Sequence, residues 1–136
     1  MQYNYKIKIL ENKKASQLIE SIVKELESNQ IITDKVVDCI KELRPYAIEE
    51  ELPVIAKTLR LVVEHIEENE VFVIPIPQDE PLIDEETGEE LKSENPGLIT
   101  GSESLLYLIN LIKKSENPMN KSEIREYNRK MEALAE

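Results

Sequence analysis

The chain has 136 residues, a formal net charge of −11, 40% hydrophobic residues and only 4% aromatic residues. That length fits one domain with a core of its own, built from Leu, Ile and Val. The charge sets an acidic surface against nucleic-acid phosphates and anionic lipid headgroups, so DNA, RNA and membrane surfaces are excluded as expected direct partners and basic proteins are favoured.

Residues 2–9 alternate, with Tyr3, Tyr5, Ile7 and Ile9 on one face and Gln2, Asn4, Lys6 and Lys8 on the other. This period of two predicts a half-buried strand. The period then changes. Ala15, Leu18, Ile19, Ile22, Val23 and Leu26 follow helical spacing, and Asn29-Gln30 should end that helix. A second helix is expected from Thr33 or Asp34, both capping residues, along Val36, Val37, Ile40 and Leu43. Pro45 should end it, since proline disfavours helical geometry in the residue before it.

A third helix is expected from Leu52-Pro53, where proline suits the first helical position. Ile55, Leu59, Val62, Val63 and Ile66 form its apolar stripe, which runs out near Asn69. Residues 71–76 read as a second strand, with Pro75 confining its end to an edge or bulge. Paired with residues 2–9 it would lay a small β ribbon across the helices.

Residues 77–101 differ from the rest. They hold all three glycines, and from 78 to 95 they carry eight carboxylates against the single Lys92, a net of −7. The stretch is expected to be an acidic loop or a hairpin turning at Gly88. A fourth helix follows from residues 100–102 to 114, with Leu105, Leu106, Leu108, Ile109, Leu111 and Ile112 leaving almost no polar face. Such a helix is either central to the core or part of an oligomer interface. Asn117-Pro118 breaks the chain, and Asn120 to Glu123 resembles a capping box opening a fifth helix along Ile124, Tyr127, Met131 and Leu134. Lys-Ser-Glu-Asn-Pro occurs at 92–96 and again at 114–118, too short a repeat to mark a duplication. The expected fold is therefore mainly α, a single domain over residues 1–136.

Little in this sequence points to catalysis. Cys39 and His65 are the only residues of their kinds, and each sits within a helical pattern. Cys39 beside Val36, Ile40 and Leu43 reads as a small buried hydrophobe. Gly101-Ser102-Glu103-Ser104 lacks the second glycine of a nucleophile elbow, and the glycines have no phosphate-loop spacing. Glu64, His65 and Glu68 share a helix end and could hold a metal ion, yet the Glu-x-x-His pattern of carboxylate metal bundles is missing because position 62 is Val. The acidic stretch does not fit a calcium-binding loop. No cofactor is expected, and a single cysteine allows no internal disulfide.

The residues left as candidates are Asp79, Glu80, Asp84, Glu85, Glu86, Glu89 and Glu90, for a basic protein partner. An acidic inhibitor or immunity-type protein is one form of that reading. The alternatives are an assembly subunit that self-associates through Leu105, Leu108, Ile109 and Ile112 of helix 102–114, and a small metal-dependent protein built on Glu64, His65 and Glu68. No signal core or membrane span is evident in the sequence, so the cytoplasm is the expected compartment.

Overall fold

The computed structural model describes residues 12–77 and 99–135. Five helices account for most of them: α1 Lys13–Asn29, α2 Asp34–Glu49, α3 Pro53–Asn69, α4 Gly101–Lys113 and α5 Pro118–Ala135. The mainly helical class is as the periodicity indicates. Helix α1 packs on α2, α2 on α3, α3 on α5, α5 on α4 and α4 back on α1, so the five close a ring. Their apolar stripes meet inside it. Ala15, Ile22, Val36, Ile40, Leu43, Leu59, Val62, Leu105, Leu108, Ile109 and Ile112 have no exposed surface.

Local chemistry sets the helix ends. Asn12 caps α1, its Oδ1 accepting the Lys14 N–H at 2.8 Å. Thr33 caps α2, and Pro53 opens α3. At their C-termini α1 and α3 stop on left-handed residues, Gln30 (φ 56°) and Glu70 (φ 66°), whose N–H groups donate to Leu26 and Ile66.

Helix α2 corrects one expectation. It does not stop at Arg44 but runs through Pro45 to Glu49. Leu43 and Ala47 continue the buried stripe on both sides of the proline, and Pro45 itself faces solvent. Burial on the inner face thus outweighs one missing outward hydrogen bond. The helix ends instead at a Schellman turn. Glu51, at φ 59°, donates its N–H to Ile48, and Leu52 donates to Ala47 at 2.9 Å.

The cap of α5 is a second correction. Asn117, not Asn120, holds the first turn, its Oδ1 accepting the Met119 N–H at 2.9 Å with Pro118 as the first helical residue. Asn120 turns back to donate to the Lys114 carbonyl, and Glu123 accepts the Tyr107 hydroxyl instead of reaching for a cap.

The expected β ribbon is not seen among the described residues, and its other half, residues 2–9, lies outside them. Residues 71–77 are extended all the same. Phe72 and Ile74 enter the core while Val71 and Val73 remain exposed, the alternation read from the sequence. Among the described residues this segment has no strand ladder. The Val73 N–H donates to the His65 side chain, and Pro75 has none to give.

Candidate functional site

The described residues on either side of the acidic stretch meet at one place in the fold. The Ile76 N–H donates to the Ile99 carbonyl at 2.9 Å, and the Gly101 N–H donates to Phe72 at 2.7 Å. Residues 71–77 and 99–101 therefore form a clasp. Gly101 takes φ 72°, which lets the chain turn from the clasp into α4. Ser102 donates to the Gln30 carbonyl at 2.9 Å and ties the α1–α2 corner to the same place.

The clasp is anchored from below. Ser104 donates its hydroxyl proton to the Ile74 carbonyl at 2.6 Å, and the Tyr127 hydroxyl donates to the backbone carbonyl of Ser104. Phe72 lies between two rings, edge-on to His65 at 5.4 Å and stacked on Tyr127 at 6.2 Å. Burial holds the Tyr127 phenol well above its ordinary ionisation range, and its contact with Ser104 offsets only part of that.

Four large apolar residues are exposed on the segments joined here: Ile31 (64%), Val71 (53%), Val73 (40%) and Ile99 (47%). Apolar surface beside concentrated charge is a pattern of protein interfaces. These residues were not legible as a group, because the sequence separates them and only the clasp joins their segments. The alternation of residues 71–76 was the one available signal.

The seven candidate carboxylates, Asp79, Glu80, Asp84, Glu85, Glu86, Glu89 and Glu90, lie outside the described residues, as does the expected hairpin at Gly88. Leu105, Leu108, Ile109 and Ile112 are fully buried between α1 and α5. The core position accounts for the almost wholly apolar composition of α4.

Glu64, His65 and Glu68 share the end of α3 but serve different partners. Glu64 accepts from Arg60 at 3.1 Å. His65 is 5% exposed and its Nε2 accepts the Val73 N–H at 3.1 Å, which occupies the lone pair a metal would need. Burial lowers the basicity of the ring, and the Glu68 carboxylate pulls the other way. Among the described residues no three His, Cys, Asp or Glu side chains are grouped to hold a metal ion. Cys39 is half-buried on α2, and burial together with nearby Glu42 raises its thiol above the ordinary range, opposite to what a nucleophile needs.

No helix among the described residues is long and apolar enough to cross a membrane. No protein-family model, curated protein or solved structure matches the chain.

Proposed function

We propose that the chain is a non-enzymatic interaction protein of inhibitor or immunity type, which meets the basic surface of a protein partner with the carboxylates of residues 78–95. The reading rests on the concentration of charge, a net of −7 in that stretch out of −11 in the chain. The clasp supports it. Ile76 and Ile99, which flank it in the sequence, are bonded to each other, so the chain that carries the charge leaves and re-enters the described scaffold at one place. Exposed Val71, Val73 and Ile99 at that point supply apolar surface of the kind found at interface centres. Charge of one sign on one part of a surface speeds encounter with the opposite sign and weakens as salt screens it.

The test is capture from a lysate of the native host at low and high salt. The bait is either the intact chain or a variant carrying Glu85→Gln, Glu86→Gln, Glu89→Gln and Glu90→Gln. A basic protein held by the intact chain, released by salt and lost with the variant supports the reading. Equal capture by both chains, or binding indifferent to salt, refutes it.

A further inference from the structure

We infer that His65 is a proton-operated latch: proton uptake at its Nε2 breaks the hydrogen bond to the Val73 amide and raises the population in which residues 71–77 are released from α3.

The geometry fixes the protonation state of the latched form. The backbone N–H of Val73 is a donor, so Nε2, 3.1 Å away, carries a lone pair and the neutral ring has its proton on Nδ1, where the Asn69 amide nitrogen, 3.5 Å away, donates instead to the His65 carbonyl at 2.9 Å. An imidazolium would place two N–H donors against each other at that distance. The ring is almost fully buried and edge-on to Phe72, so it has little room to turn away. Among the described residues, 71–77 make no helical or ladder bonds. Their described backbone attachments are Val73 to His65, Phe72 to Gly101, Ile76 to Ile99 and Ile74 to Ser104. The bond to His65 is the one among them that a proton can break near neutral pH.

On α3 itself, Glu64 is engaged by Arg60, and Glu68 favours the protonated ring. From α5, Met131, Leu134 and Ala135 line the same cavity as the ring and bring no charge, and Tyr127 lies on the far side of Phe72. Residues 71–77 bring no titratable side chain. A cavity of about 70 Å³ lined by Glu64, His65, Glu68 and Asn69 gives a proton a route to the ring. Burial outweighs Glu68, so the latch stays closed at neutral pH and opens on the acid side of the ordinary histidine value. Phe72 and Ile74 remain apolar and oppose release, so the response is a shift in population and not an unfolding of the chain. The inference concerns the clasp alone and stands whether or not the acidic stretch binds a basic partner.

Nitrogen NMR of the full chain tests it from pH 8 down to pH 5, reading the His65 ring nitrogens and the exchange protection of single amides. The expected result is a neutral ring protonated on Nδ1 at pH 8. Below the ring's midpoint, Val73 protection should fall by up to about tenfold per pH unit while Leu59 and Leu108 hold theirs. Constant Val73 protection while the ring titrates overturns the latch. So does a parallel loss at Leu59 and Leu108, or a ring that stays neutral throughout. His65→Gln keeps an acceptor for Val73 but takes up no proton, and its Val73 protection should be flat with pH. The same acid loss in that variant also overturns the inference. If the variant does not fold, the measurement on the unaltered chain decides.

Discussion

The hydroxyls of Tyr127 and Ser104 lie 3.0 Å apart in the core, with the phenol donating to the Ser104 backbone carbonyl and the Ser104 hydroxyl donating to the carbonyl of Ile74. Through this pair α5 and α4 together fix the extended segment that carries the clasp. Both side chains are fully buried, so neither water nor another donor replaces a missing member.

Tyr127→Phe should therefore lower stability by about 1–2 kcal/mol, and Ser104→Ala by about 1–3 kcal/mol because it leaves the Ile74 carbonyl without its donor and takes the hydroxyl away from the phenol, which keeps the Ser104 carbonyl as acceptor. Urea unfolding of the two variants and their double mutant checks this. The double mutant should cost less than the sum of the singles, since each removes the same chain of bonds.

Pro45 is a stability cost on an exposed helix surface. It cannot donate to the Lys41 carbonyl, and its ring crowds that group. Pro45→Ala should raise stability by about 1–3 kcal/mol, seen as a higher urea midpoint with an unchanged slope. No gain would mean that α2 is already bent to relieve the proline.

Left-handed backbone makes opposite predictions at two positions. Glu51 holds φ 59° without the freedom of glycine, so Glu51→Gly should stabilise the Schellman turn by about 0.5–1 kcal/mol. Gly101 holds φ 72°, and a Cβ there would meet no atom within 4 Å. Gly101→Ala should thus destabilise by about 1 kcal/mol through backbone strain alone. Thermal melts of both variants would show the opposite signs directly.

Cys39 should be a slow thiol. Burial and the neighbouring Glu42 carboxylate disfavour its thiolate, so its ionisation lies above the ordinary value of 9.0. Iodoacetamide should modify it more slowly at pH 8 than it modifies an unstructured cysteine peptide, and the rate should still be climbing above pH 9. A rate equal to that of the peptide would contradict the desolvated environment.

Most of the helical scaffold was legible because its stripes are long and clean. The spacing of Ala15, Ile19, Ile22 and Leu26 leaves no other element to form, and the run from Leu105 to Ile112, read as either core or oligomer interface, supplies Leu105, Leu108, Ile109 and Ile112 to the core. The misreadings fall where a local signal competes with a tertiary one. Pro45 is a breaker by its own chemistry, but Ala47 beyond it completes the buried face of α2. Asn117 and Asn120 both offered a cap for α5, and Asn120, which lies within its first turn, bonds instead to the Lys114 carbonyl across the α4–α5 turn. Residues 71–76 carried a true strand alternation, yet the acceptor for Val73 is an imidazole. No periodicity reports that a histidine side chain will stand in for a neighbouring strand. The clasp was invisible for the same reason, since it joins Ile76 to Ile99 across the most polar part of the chain.

The clasp also bears on how freely the connecting sequence can vary. Ile76 and Ile99 are bonded to each other, and their segments are anchored from α4 through Ser104 and Gly101. The entropic penalty for a longer connection between two fixed points grows as the logarithm of its length, about 0.6 kcal/mol per doubling. Closing those two points through the helices rather than through the intervening sequence therefore makes the length of that sequence a small term in the stability of the ring.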